Sequence, residues 1–209
     1  MEVYDVIFRG GIVMWPIMAC SIAALAITIE RFFALRRATI DTREFMDTMR
    51  AVLHKNRIQE AIEICDETDA PIARIVKAGI LKHDRSKEDI REAIEDAGNL
   101  EIPKLEHYLP AMATCAHIAP LLGLLGTVAG MIKAFAQIQH KQGLVNPSDL
   151  AEGISNALVT TAAGLTVAIP TLVVYNYFIT RVDSMVLEME ISTSELVELL
   201  TRDRGDLEI

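Results

Sequence analysis

Aromatic residues are scarce. They make up 5% of the 209 residues, with a single tryptophan, and that disfavours a membrane β-barrel with aromatic girdles. Cysteine is nearly absent: three residues, an odd number without paired spacing, exclude a disulfide scaffold. There is no basic excess. The formal net charge is −9, which removes the electrostatic basis for binding nucleic acid. Disorder is excluded by an apolar content of 51%. No glycine-rich phosphate loop, nucleophile elbow or His/Cys/Asp/Glu spacing is present, so the sequence offers no enzyme site, no cofactor site and no metal site.

Charge is present but segregated. Gly10 to Ile29, Tyr108 to Ile132 and Gly153 to Thr180 contain no Asp, Glu, Lys or Arg. Their 20, 25 and 28 residues would span roughly 30, 37 and 42 Å as helices, against a hydrocarbon core of about 30 Å. A chain of this size has too little material to bury three such helices in a soluble core. The first stretch is not read as a signal peptide. Glu2 and Asp5 precede it, its apolar run is too long, and it leads directly into Glu30-Arg31.

Basic residues give the orientation. Residues 31–106 and the tail from Arg181 hold 17 of the 20 Lys and Arg, with Arg31, Arg36 and Arg37 clustered beside the first span. Those segments are expected in the cytoplasm, with the N-terminus and the 133–152 connection outside. The expectation is an all-α polytopic membrane protein with three transmembrane helices and a helical cytoplasmic region. Its parts are a short outer tail 1–9, a span 10–29, a cytoplasmic helical region 30–107, a span 108–132, an outer loop 133–152, a span 153–180 and a cytoplasmic helical tail 181–209.

Helical periodicity runs through the charged parts. Phe45, Met49, Val52 and Leu53 form one apolar face; Ile58, Ala61, Ile62 and Cys65 form the next. Pro71 starts a helix bearing Ile72, Ile75, Val76 and Ile80, and Ser86 with Asp89 caps another carrying Ile90 and Ile94. That last helix is expected to run into the second span with a kink at Pro103.

The second and third spans are unusual in carrying small and polar residues. Ala116, Pro120, Gly123, Thr127, Gly130 and Ala134 fall within about 80° on a helical wheel. Gly126 and Gly130 make a G-x-x-x-G spacing that favours close helix approach. On the third span Asn156, Ala157, Thr160, Thr161, Gly164 and Ala168 occupy about 140°. Polar side chains in a membrane face protein or water, so these stripes mark a shared interface, between subunits or along a pore. Packing glue alone explains each residue taken singly. Thr127 and Thr161 lie at similar depth, within roughly 5 Å. No carboxylate sits in any span, so a partner must supply a proton-carrying acid. His117, at the stripe's edge, is read first as a hydrogen-bonded packing residue and second as a proton shuttle. Cys20, Cys65 and Cys115 are read as small apolar residues, and Trp15 as an interfacial anchor.

These residues resemble a known family. Ala119 to Phe135, with Gly-Leu-Leu-Gly-Thr-Val-Ala-Gly at its centre, is similar to the second-span signature of the MotA/TolQ/ExbB proton-channel family. Gly153 to Pro170 is similar to its third. Glu30-Arg31 and the following basic run resemble the family's exit from the first span, and three spans fit the ExbB/TolQ branch. The resemblance implies a homo-pentamer in the bacterial inner membrane, with its N-terminus in the periplasm. It also implies an enclosed dimer of a single-span ExbD/TolR-like partner, whose membrane aspartate carries protons. Proton flow would drive mechanical work on the envelope: TonB-dependent outer-membrane transport, or outer-membrane integrity through a TolA-like protein in the TolQ branch.

By motif, Thr127 and Thr161 match the functional threonines, with Thr160 and Asn156 beside them on the pathway and Gly123, Gly126, Gly130 and Gly164 as packing residues. Asn156 stands where ExbB-type chains often have glutamate; it cannot exchange a proton, and Glu152 lies one turn earlier. A passive oligomeric scaffold is the competing reading, and sodium the competing ion.

Overall fold

The computed structural model describes residues 11–140 and 147–205. The expected tail 1–9, the centre of the 133–152 loop and the last four residues lie outside the described residues, as does the Glu152 side chain. Among the described residues every element is helical. After a single 3-10 turn at Gly11–Val13 come α1 (Met14–Ala38), α2 (Thr42–Leu53), α3 (Ile58–Glu67), α4 (Pro71–Ile80), α5 (Lys87–Leu105), α6 (Leu109–His140) and α7 (Pro147–Gly205). Three helical stretches are long and apolar enough to cross a membrane, and they hold the three uncharged segments from Gly11 onward.

The residues group into two compact units. One holds the chain up to Glu30 together with Tyr108–Tyr177; the other holds Arg31–His107 and everything from Phe178 onward. In the first unit most buried positions are small or slender: Ala24 on α1, Ala116, Ala119 and Ala134 on α6, and Ala157, Thr160 and Ala168 on α7; Ile17 and, at the start of α6, Leu109 and Met112 are bulky exceptions. Most bulky apolar side chains of the spans point outward instead, among them Ile22, Leu121, Leu125, Ile132, Leu158, Ile169 and Val173. That inversion is costly in water and natural in lipid, where the tails are as apolar as leucine and close backbone approach drives association.

The second unit is built the other way round, with large apolar residues inside. Met49, Val76, Ile80, Ile90 and Leu196 are almost wholly buried. Gly79 lets α4 close on this core. A Cβ there would lie 2.9 Å from Ile94 Cδ1 and 3.1 Å from Leu196 Cδ2. Asp41 caps α2 by accepting from the backbone N–H groups of Arg43 and Glu44. Pro71 opens α4, and Ser86 with Asp89 forms a full capping box on α5. The Cys65 thiol lies 3.9 Å from Met49 Sδ. Burial, helped by the Asp66 charge, pushes its pKa up to about 11, so it stays a thiol at neutral pH.

One expectation changes, and one residue gains a second role. The fifth helix does not kink at Pro103 and continue; it ends at Leu105, and Tyr108 takes a left-handed backbone with φ 65° before α6 begins. Pro103 is accommodated inside the last turn of α5. Arg31, counted from sequence as an orientation signal, is buried at 4% exposure. Its Nη1 donates to the carbonyls of Lys104 at 3.0 Å and Leu105 at 3.3 Å, so its charge caps the C-terminus of α5. Arg36 and Arg37 remain exposed.

A buried carboxylate ties α4 to α5. Glu101 receives Arg74 Nε at 2.9 Å and Lys104 Nζ at 2.6 Å, and Arg74 also reaches Asp69 at 3.0 Å. Burial pushes the Glu101 carboxyl up, but the hydrogen bonds and charges of Lys104 and Arg74 outweigh it and hold the group below its ordinary 4.5. A carboxyl whose pKa is lower folded than unfolded contributes stability that is complete above the unfolded value and is lost as pH falls through the folded one. Thermal melts of the detergent-solubilised chain between pH 6 and 3 should therefore show a steeper loss below pH 4.5 for the natural protein than for Glu101→Gln. Equal slopes would remove Glu101 from the acid response.

Candidate functional site

The site begins with how closely two helices can approach. Along α6 the glycines sit at three- and four-residue spacing, and α7 runs antiparallel against them. A Cβ on Gly123 would stand 3.0 Å from Thr161 Cα; one on Gly126 would stand 2.3 Å from Thr160 Oγ1; one on Gly130 would stand 2.7 Å from Ala157 Cβ. From the other side, a Cβ on Gly164 would stand 2.5 Å from the Ala119 carbonyl oxygen, and one on Gly153 would stand 3.0 Å from Ala134 Cβ. At Gly126, Gly130 and Gly164 these distances are shorter than a side chain tolerates, and at Gly123 and Gly153 they are tight, so the close contact depends on the missing side chains.

This closeness brings two hydroxyls together. Thr127 Oγ1 and Thr161 Oγ1 are 2.7 Å apart, and each lies within bonding distance of the same acceptor, the Gly123 carbonyl, at 3.1 and 3.0 Å. Two hydroxyl protons are thus shared among three short oxygen–oxygen contacts. At any moment two contacts carry a proton and the third is two lone pairs face to face. Rotating one hydroxyl converts one pattern into another without moving a heavy atom. Both side chains are half-buried, so a spare lone pair stays within reach of an incoming group. On a wheel Leu124 and Met131 lie within about 60° of Thr127, and Leu158 and Leu165 within about 60° of Thr161. All four are exposed. The threonine pair therefore lies at the base of an apolar groove.

The other singled-out residues divide. Thr160 lies apart from the Thr127–Thr161 pair, packed between the helices. It is 1% exposed, donates to the Ala157 carbonyl at 2.6 Å and fills the space opposite Gly126. Adjacent residues on a helix point about 100° apart, so only one of the two consecutive threonines can face Thr127. Asn156 is half-buried on α7, one turn before Thr160. His117 is exposed in the single chain, and its Nδ1 lies 2.7 Å from the Ala113 carbonyl one turn earlier. Trp15 is exposed on the first turn of α1. Among the described residues no three His, Cys, Asp or Glu side chains gather to hold a metal.

One participant is not a side chain. Residue identity does not announce the Gly123 carbonyl as a double acceptor. The readable signal is spacing: a threonine four residues after a glycine donates back to that glycine's carbonyl, and the missing Cβ leaves the same oxygen open to a neighbouring helix.

Residues 67–191 match the model of the MotA/TolQ/ExbB proton channel family. An ExbB-like biopolymer transport protein of Synechocystis is 31% identical, covering 81% of each chain. The Tol-Pal system protein TolQ of Haemophilus influenzae is also 31% identical, covering 87% of this chain and 86% of its own. Among solved structures, that of Campylobacter jejuni MotAB superposes with a TM-score of 0.69 at 15% identity, covering 96% of this chain and 81% of that one, which is a likeness of fold.

Proposed function

The chain belongs to the MotA/TolQ/ExbB proton channel family, and on that premise we propose that it is the channel-forming stator subunit of an ion-driven motor in the bacterial inner membrane. Five copies enclose a dimer of a single-span ExbD/TolR-like partner. The partner's membrane carboxyl group brings the proton, and the hydroxyls of Thr127 and Thr161 hold that group by hydrogen bonds. The N-terminus lies in the periplasm and the charged helical unit in the cytoplasm, as the 17 basic residues of those segments favour.

One observation carries the reading: two hydroxyls and one carbonyl with more contacts than protons, in a stretch without any charge of its own. Such a set can donate to a carboxylate or accept from a carboxylic acid by rotation alone. It holds the partner's group in either protonation state without trapping it in one. Asn156 is polar but cannot titrate, and it would orient water at the groove's outer mouth. As a packing device the pair is weak, since such bonds between membrane helices are worth about 0.6 kcal/mol on average. The glycine contacts already account for the association.

ExbB-like and TolQ relatives stand at equal identity. The work proposed is TonB-dependent outer-membrane transport; a TolQ-like duty in outer-membrane integrity, through a TolA-like protein, is the alternative. Deletion of the gene separates them: loss of energised uptake against detergent sensitivity.

The reading is tested by purifying the full chain from its native membrane and reconstituting the complex. A single-span protein with a membrane carboxylate should co-purify. Acidification inside liposomes should follow a proton gradient imposed alone and not a sodium gradient imposed alone. A homo-oligomer that purifies without such a partner and conducts neither ion would establish the passive scaffold instead.

A further inference from the structure

We propose that His117 is the proton acceptor on the inner half of this pathway, taking the proton onward from the partner's carboxylic acid; this rests on the channel reading above.

The first ground is chemical scarcity. Within the three uncharged stretches His117 is the one side chain of a type that ordinarily titrates between pH 5 and 8. The other titratable residues there are Cys20, Tyr108, Cys115, Tyr175 and Tyr177, of types that hold their protons at neutral pH. The remaining charged residues of this unit within the described chain are Glu30 at the end of the first span, and Lys133, Asp149 and Glu152 beyond Thr127 toward the other end. A pathway that must release protons near neutrality has one candidate base in this stretch.

The second ground is geometry. The Ala113 carbonyl can only accept, so the 2.7 Å contact fixes the proton of the neutral ring on Nδ1 and leaves the lone pair at Nε2. The ring is exposed, so that lone pair is directed off the helix. In hydrocarbon it would lack any partner, a cost that sets the residue toward water or protein rather than lipid. His117 lies within about 40° of Leu124 and Met131 on the wheel of α6, the residues that wall the threonine groove. It stands ten residues before Thr127, about 15 Å along the helix axis. Since Ala119 meets Gly164, the facing part of α7 is the two turns just beyond Gly164. Its polar residues, Thr166 and Thr171, donate to the carbonyls of Ala162 and Val167 and leave no competing acid or base.

The step balances simply. With the partner's acid held at Thr127 and Thr161, the proton crosses the intervening distance through a chain of water: the acid gives its O–H proton to the first water, each water hands one proton on, and the last protonates Nε2, leaving a carboxylate and an imidazolium. The same Nε2–H then passes to water on the cytoplasmic side and restores the neutral ring. Thr127 and Thr161 hold the carboxyl group before transfer; His117 sets the direction in which the proton leaves.

The test uses the reconstituted complex of the full chain with its single-span partner, with proton flux read from a pH-sensitive dye. Natural flux should show an inflection with inner pH between 5 and 8. His117→Ala should lower flux at least about tenfold, flatten that inflection and regain flux when imidazole is added. Thr127→Val should stop flux with or without imidazole. Full flux and an unchanged pH profile in His117→Ala, beside a silent Thr127→Val, would overturn this proposal and leave the channel reading standing. Full flux in both variants would overturn both. If His117→Ala and His117→Gln fail to assemble, the natural complex decides: an inflection in that range supports the proposal, and a flat profile overturns it.

Discussion

Thr127→Val should abolish partner-dependent proton flux, by at least about a hundredfold, while the complex still assembles. Valine keeps the shape of threonine and removes the hydroxyl, so the 3.1 Å contact to Gly123 and the 2.7 Å contact to Thr161 lose a participant while the helix contact stays filled. The remaining hydroxyl of Thr161 then bonds the Gly123 carbonyl at 3.0 Å without a competitor and settles there. The set loses the degeneracy that lets it serve both protonation states of a carboxyl group. A positioned proton-transfer group typically contributes a factor of about 10² to 10⁴, which sets the scale. Thr161→Val should act alike, and the double variant should be little worse than either, because groups that work as one unit do not add. Thr127→Ser should retain most of the flux. Full flux in both valine variants, measured beside intact assembly by size-exclusion chromatography, would sink the pathway assignment.

The second large effect is on folding. Gly164→Val should prevent the membrane unit from assembling. A Cβ at Gly164 meets the Ala119 carbonyl oxygen at 2.5 Å and Gly123 Cα at 3.2 Å, and these are backbone atoms with no rotamer to change. Relief requires moving α7 away from α6, which would also undo the contacts at Gly123 and Gly130. Overpacking a well-fitted contact costs about 1–3 kcal/mol where side chains can yield, and more is expected where only backbone can. Gly126→Ala should be milder, since the obstructing atoms belong to the Thr160 side chain. Gly98 provides the control: it lies in α5, and a Cβ added there would meet nothing within 4 Å, so Gly98→Ala should raise thermal stability slightly. The readout is the melting temperature and oligomer yield of each variant in detergent. A Gly164→Val complex of natural yield and melting temperature would refute the close α6–α7 contact.

These two experiments also separate roles that the sequence presents as one stripe. Gly123, Thr127, Thr160 and Gly164 share a polar, small-residue pattern, yet each has a different task. Gly164 admits the backbone of α6. Gly123 offers the carbonyl that two hydroxyls share. Thr160 fills the gap left by Gly126. Thr127 and Thr161 alone present hydroxyls at the base of a groove.

The sequence by itself determined the three spans, the helical character of the charged segments, the capping box at Ser86 and the family. Those features depend on local terms: whether a residue leaves water willingly, whether a backbone can close its own hydrogen bonds, and whether a motif is present. Long uncharged runs settle the first two before any helix meets another. What the tertiary structure decided was rotation and register. Thr160 and Thr161 are the same residue type one position apart, and only the fit of α6 against α7 selects which one turns toward Thr127. Arg31 reads as a basic flank until the end of α5 is seen to lie against it, and the break before α6 falls at Tyr108 although Pro103 carries the stronger sequence signal. Interhelical angle and register are fixed by contacts between residues dozens of positions apart. A linear pattern holds the pieces of such a contact but not the distance at which they meet.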